Sequence, residues 1–418
     1  MGERTPVLLA AAGAGWESGV LEDLSRSRDA VLHKRCVDLP DLLASARTGL
    51  ARAALVDAGL PGLDADSVDL LLRAGVGTLV VAADPGDHER LARLGAHRVL
   101  APGALADVGA LAAEAASGPD GYDDPTVPAP DRADASPGPA RAGRVLVVWG
   151  PAGAPGRTTV AVGLAAELAV RSGDALLLDA DPYAGAVAQH LGVLDDVSGL
   201  LAAARLANAG GLDPTTLAAV ARTAADGLRV LTGLPRADRW SEVRPAAWAE
   251  VLDTAARLAG HVVVDTGFSL EDAGEDPFAP APRRNGTTLG ALERADEVVV
   301  VGAADPVGLA RLARGLVDLR EVLPATPLRV AVNRMRPSLG WSEREVAGMV
   351  EGFVGPVPTV FLPDDRTAAD RALMAGRSLV EEGPSPLRDA VAGLAAAVLG
   401  QAPPAGGRLR RRRAGRAR

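Results

Sequence analysis

The residues Gly150-Pro-Ala-Gly-Ala-Pro-Gly-Arg-Thr-Thr159 carry the chemistry needed to hold a phosphate. Small residues let backbone N–H groups converge on an anion, and a following helix presents its positive N-terminal end. The stretch has that setting. It follows an apolar run, Arg144 to Trp149 (RVLVVW), and leads into a helical pattern, Val160 to Val170. Taken alone it also reads as a plain Gly/Pro turn. Further along, acidic residues close apolar runs at Asp179 and Asp181 (LLLDADP) and at Asp265 (HVVVDT). A hard cation bridging phosphates needs such an oxygen ligand. Each Asp taken singly is equally compatible with a helix N-cap.

The elements that must position these residues alternate β and α. Strands are expected at RVLVVW, Ala175 to Leu178, Leu228 to Leu231, His261 to Val264, Glu297 to Val301, Leu328 to Val332 and Thr359 to Phe361, with helical patterns between them. Such alternation predicts a doubly wound α/β sheet with its ligand at the carboxyl ends of the strands. An earlier set of short runs, Pro6 to Ala10, Ala53 to Val56, Gly77 to Ala82 and His97 to Leu100, predicts a second parallel sheet. Helical stretches near 17–27, 39–50, 64–74 and 87–94 separate those runs. The expected organisation is therefore a domain at 1–117, a disordered Pro/Gly/Asp/Ala-rich linker at 118–142, a nucleotide-binding domain at 143–400 and a basic disordered tail at 401–418. A further break is expected at Glu271 to Asn285, as a long loop inside the second domain.

Composition narrows the functional classes. The 418 residues are 48% hydrophobic with a formal net charge of −9, which fits a globular protein of two or three domains. One cysteine, Cys36, excludes an intramolecular disulfide framework, and five scattered histidines argue against structural zinc. No apolar run reaches the length of a membrane span, and a cytoplasmic location is expected.

The glycine-rich stretch resembles a Walker A loop, G-x-x-x-x-G-K-[ST], with two departures. Arg157 replaces the lysine, and the first glycine position falls on Pro151. The only lysine in the chain is Lys34, so arginine has replaced lysine broadly. A planar guanidinium clamps phosphate oxygens but does not fit between β- and γ-phosphates as a compact ammonium does. Across the second domain the chain resembles the MinD/ParA class of P-loop ATPases. That resemblance implies ATP and Mg²⁺ as ligands and a nucleotide-dependent homodimer. It assigns phosphate contacts to Gly153, Pro155, Gly156, Arg157, Thr158 and Thr159, and Mg²⁺ to Thr158 and Asp265. Asp181 of the D-x-D motif would orient the attacking water or the Mg²⁺ shell, with Arg157 as the second catalytic candidate. Asn333, in a V-x-N-[KR] element, would contact adenine, and Pro363 and Asp364 would close over the base. The class carries a second, signature lysine five residues before the first, and Ala152 stands there. Arg283 and Arg284 are candidates to replace that charge, or a solvated loop pair.

The first domain resembles a response-regulator receiver. Asp57-Ala-Gly-Leu-Pro-Gly62 matches the turn around a phospho-acceptor Asp, but Ala10-Ala11-Ala12 replaces the acidic Mg²⁺ pair. A pseudo-receiver, with Asp57 as a turn or capping residue, is expected. A receiver-like domain fused to an atypical P-loop domain resembles CpaE/TadZ proteins, which localise pilus and secretion machinery. This implies a weak ATPase whose partners are secretion or pilus assembly proteins. Two alternatives remain open: a non-hydrolysing adaptor, and a ParA-like partition protein. The tail, Arg408 to Arg418, supplies charge for DNA or for an anionic surface at the inner face of the membrane, or serves only solubility.

Overall fold

A computed structural model of the chain describes residues 4–11, 13–117, 143–183, 185–193, 197–272 and 283–401. The expected linker at 118–142, the basic tail, Ala12 and most of the 271–285 break lie outside the described residues.

Two sheets organise them. The first holds β1 (Thr5–Ala10), β2 (Ala30–Arg35), β3 (Ala53–Asp57), β4 (Gly77–Val81) and β5 (Arg98–Leu100) in the order β2-β1-β3-β4-β5, all parallel. That is a doubly wound order. The strand β2 was not among the expected runs. Its outer half, His33-Lys34-Arg35, is exposed because the strand lies at the sheet edge, so it lacks the apolar signature of a buried strand. The helix Val108–Ser117 was likewise not expected, being an almost uniform alanine run without clear period.

The second sheet holds β6 (Arg144–Trp149), β7 (Ala175–Ala180), β8 (Arg222–Ala225), β9 (Leu228–Leu231), β10 (His261–Thr266), β11 (Glu297–Ala303), β12 (Leu328–Met335) and β13 (Thr359–Pro363). Their order is β13-β12-β11-β6-β10-β7-β9-β8, parallel except for the short polar edge strand β8. Successive residues of β6 serve opposite faces. Val145, Val147 and Trp149 join one core with Leu178, Val251 and Leu316. Leu146 and Val148 join the other with Val160, Leu164 and Val391. A strand buried on both faces must be apolar throughout, and this is what RVLVVW and EVVVV encode. No helix among the described residues is long and apolar enough to cross a membrane.

The helix Pro245–Leu258 packs on the first of these cores, and its N-terminal residue Arg244 offers no side-chain cap. The cap comes from the other sheet's domain. Asp66, in the helix Ala65–Arg73, accepts from the Ala246 backbone N–H at 3.0 Å, and Arg244 spans Asp64 at 2.7 Å and Asp66 at 3.4 Å. Burial pushes the Asp66 carboxyl up, and the Ala246 N–H and Arg244 work against that rise. Replacing a capping carboxylate by alanine costs about 1 kcal/mol. Asp66→Ala should therefore lower the melting temperature of the full chain by about 2–4 °C. Asp69→Ala, which removes an exposed intrahelical pair with Arg73, should leave it unchanged. Equal melting of the two variants would contradict the capping role.

Candidate phosphate and cation site

The loop Gly150–Gly156 leaves the C-terminal end of β6, between β11 and β10. Its turns use Gly153 at φ 76° and Gly156 at φ 86°, values that L side chains rarely adopt. The helix Arg157–Ser172 then begins at the loop's end with no side-chain cap, which leaves its first N–H groups without a capping side chain. Asn333 at the end of β12 donates from Nδ2 to the Pro155 carbonyl at 2.9 Å and lies against Gly156, where a Cβ would come within 2.4 Å. Asn333 thus braces the loop. It also lines a cavity of about 360 Å³ with Gly156, Thr159, Pro363 and Asp364. Asn333, Pro363 and Asp364, expected at the base, thus share one lining with Gly156 and Thr159, expected at the phosphates. Asp364 ion-pairs with Arg366 at 3.4 Å, while the helix cap at this turn is Asp365.

Beneath the loop three carboxylates converge. Asp179 and Asp265 are register partners on the adjacent strands β7 and β10, and Asp181 follows β7. All three are buried. The helix after β10, Gly286–Glu293, starts from Asn285 rather than Asp265, whereas Asp179 accepts from the first residue of the helix Val187–His190. Asp181 accepts the Tyr183 N–H at 2.9 Å and lies 3.8 Å from the Arg157 guanidinium. Asp179 accepts from the N–H groups of Val187 (3.1 Å) and Asp181 (3.4 Å). It is packed so closely that a Cβ on Gly233 would come within 2.6 Å of its carboxyl carbon, and one on Gly185 within 2.9 Å of its oxygens. Burial pushes Asp179 up to about 7, against those two backbone N–H groups. Asp265 has no hydrogen-bond partner for either oxygen. Burial raises it well above the usual carboxylate range, and the neighbouring Asp179 raises it further. The nearby Thr158 hydroxyl and Arg157 offset only part of this.

Buried carboxylates are expected to be paired or to meet a metal. Asp265 makes no well-formed hydrogen bond and has only the nearby Thr158 hydroxyl and Arg157 to offset its charge, so the donor set fits a hard cation held from this side. Among the described residues no three ligating side chains come close enough to form a protein cage for a metal.

The Arg157 guanidinium is engaged by protein groups. Its Nη1 lies 3.4 Å from the Gly150 carbonyl, it pairs with Asp181, and its Nε is buried without a partner. Arg283 pairs with Asp272 at 2.7 Å, and Arg284 stacks over the Tyr183 ring, 4.9 Å from its centroid. Asn285, expected in a loose loop, is buried. Its amide donates to Ser269 and to the Glu271 carbonyl, and its Oδ1 accepts from the Tyr183 hydroxyl at 2.8 Å. Thr287 donates to the Ala180 carbonyl at 2.8 Å, tying the helix after β10 to the strand end that carries Asp179 and Asp181. These supporting residues, with Gly185 and Gly233, were not anticipated. Only the D-x-D spacing signalled Asp179, since residues two apart on a strand share a face.

No protein-family model matches the chain, and no curated protein matches it. Solved structures do. A ParA family ATPase from Chlorobium tepidum TLS is 19% identical, with a TM-score of 0.52, covering 61% of this chain and 98% of its own. The cell division ATPase MinD of Pyrococcus furiosus is 21% identical, with a TM-score of 0.48, covering 62% and 99%. A Cyanothece McdA(D38A)–ATP complex is 18% identical, with a TM-score of 0.47, covering 62% and 97%. The first likeness establishes the fold: the chain contains the α/β architecture of a ParA family ATPase.

The carboxylate pair has a measurable consequence. A carboxyl whose folded pKa is raised binds protons more tightly in the folded state, so stability falls as pH rises from about 4 through the folded value. Asp265→Asn removes that loss. Its melting temperature should exceed the wild type's by at least about 3 °C at pH 8, with a smaller difference at pH 5. A difference that does not change with pH would show that Asp265 titrates normally.

Proposed function

We propose that the second domain binds ATP with Mg²⁺ and hydrolyses it slowly, and that the nucleotide-bound form is a homodimer that positions a larger assembly. The observation that carries this reading is the buried, unpartnered Asp265 carboxylate beneath a glycine-rich loop that opens onto an uncapped helix. The backbone N–H groups of Gly153, Gly156, Arg157, Thr158 and Thr159 hold the phosphates, and Asn333, Pro363 and Asp364 border the base. Thr158 and Asp265, which lie close together, would hold the cation. Mg²⁺, when bound, neutralises phosphate charge and orders water around it. Asp181 positions the attacking water.

Turnover is slow in this reading because positive charge at the γ-phosphate is scarce. Ala152 carries none, and Arg157 is drawn toward Asp181. Losing one such group costs orders of magnitude in rate. The same pairing favours a second reading, a non-hydrolysing adaptor in which Arg157 stays locked. The assembly served is, on the resemblance to CpaE/TadZ proteins, a secretion or pilus apparatus reached in the cytoplasm or at the inner face of the membrane. A ParA-like role on DNA would require the Arg408–Arg418 tail, and deletion of 407–418 tests it through loss of salt-dependent DNA binding.

Calorimetry with Mg-ATP tests the main claim. Wild-type chain should bind, Thr158→Ala should bind at least about tenfold more weakly, and Arg157→Lys should hydrolyse ATP faster, with a larger gain when combined with Ala152→Lys. Unchanged affinity in Thr158→Ala would remove the site assignment. Binding without turnover, in wild type and Arg157→Lys alike, would select the adaptor.

A further inference from the structure

The scarcity of charge at the loop directs attention to what else approaches it. The helix Pro306–Val322 is capped by Asp305, which accepts from Gly308 at 3.0 Å, and is fixed against the sheet by Leu312, Leu316 and Leu319. Its Gly315 lets it close on the loop: a Cβ there would lie 2.9 Å from Pro151 and 3.2 Å from Trp149. One turn earlier, Arg311 lays its guanidinium on Gly153. A Cβ on Gly153 would come within 2.1 Å of Nη1 and 3.2 Å of Cζ, so the bare glycine, itself favoured there by its φ of 76°, lets the guanidinium rest on the loop backbone. Among the described residues Arg311 forms no hydrogen bond or ion pair, and it is exposed. The contrast with other arginines is plain. Arg144 and Arg329 both close on Glu297, and Arg257 closes on Glu250.

We propose that Arg311 is a nucleotide-binding residue whose guanidinium contacts the phosphate oxygens of ATP from outside the loop, supplying the positive charge that Ala152 lacks and Arg157 spends on Asp181. The inference rests on the ATP-binding reading above. It follows from three coincident facts: a helix fixed to the loop through Gly315, an unpaired guanidinium touching the loop's glycine, and a loop whose own cation is already engaged. Guanidinium suits this task better than ammonium, because its planar fork of donors meets two phosphate oxygens while its face rests on backbone. Arg311 differs from Arg283 and Arg284 in lying on the loop itself. Arg283 bridges Asp272, and Arg284 covers Tyr183.

The test uses the full chain and compares Mg-ATP with AMP by calorimetry at two salt concentrations, for wild type, Arg311→Ala, Arg311→Lys and Arg314→Ala. Arg314 is exposed on the same helix and bonds only the Ala310 carbonyl, so it controls for loss of one charge. Arg311→Ala should weaken Mg-ATP binding by about tenfold or more, flatten its salt dependence and leave AMP affinity within about twofold. Arg311→Lys should recover part of the loss. Arg314→Ala should bind like wild type, and all variants should melt alike without nucleotide. Arg311→Ala binding Mg-ATP as tightly as Arg314→Ala would overturn the proposal while leaving the ATP site intact. Failure of wild type to bind Mg-ATP would overturn both.

Discussion

Two carboxylates, Asp179 and Asp265, lie side by side at the ends of adjacent buried strands, with one partly engaged arginine as the nearest positive charge. In water such groups ionise freely. Here burial and their mutual repulsion oppose ionisation, which costs free energy that a chain selected for stability alone would avoid. The surrounding architecture exists around that cost. Apolar strands on both sides hold the two residues in register, and glycines at 185 and 233 leave room for Asp179 and nothing larger. The two cores on either face of the sheet supply the stability that makes the expense tolerable. An unfavourable local arrangement kept in this way is characteristic of a site whose missing charge arrives with its ligand.

The loop above the carboxylates is positioned from three directions. Asn333 holds it from β12, Gly315 brings the helix Pro306–Val322 against Pro151, and the strand β6 delivers it at the point where chain connections diverge to either side of the sheet. A separate line of contacts approaches from the other domain. Asp66 caps the helix Pro245–Leu258, Trp248 of that helix donates to the Thr287 carbonyl at 2.9 Å, and Thr287 donates to Ala180 beside Asp181. In the first domain Asp57, held by the Trp16 indole at 2.9 Å and the Gly59 N–H at 2.8 Å, acts as a turn residue.

Much of this was legible in the sequence. The glycine-rich stretch sits between a strand and a helix as its flanks implied, with Asp181 near Arg157 and Asp265 near Thr158. Buried strands announce themselves through unbroken valine and leucine runs. The edge strands β2 and β8 did not, because half-exposed strands carry polar residues and no distinctive run. The support residues were invisible for a different reason. Gly233 and Gly185 matter through the space they leave around Asp179, and Arg311 through its reach to Gly153, and neither property is encoded in local spacing. Arg157 illustrates the limit most clearly: its position in the motif was readable, whereas its pairing with Asp181 is a tertiary fact.

The central claim, that Asp265 is left without a partner because a cation completes the site, is tested most directly by the dependence of ATP affinity on Mg²⁺. Affinity is measured at pH 8 with Mg²⁺ and with a chelator, in wild type and in Asp265→Asn. Wild type should bind ATP at least about tenfold more tightly with Mg²⁺, and the variant should lose most of that gain while binding metal-free ATP as well or better. An equal Mg²⁺ gain in both proteins would contradict the account, because the buried carboxylate would then have no part in holding the cation.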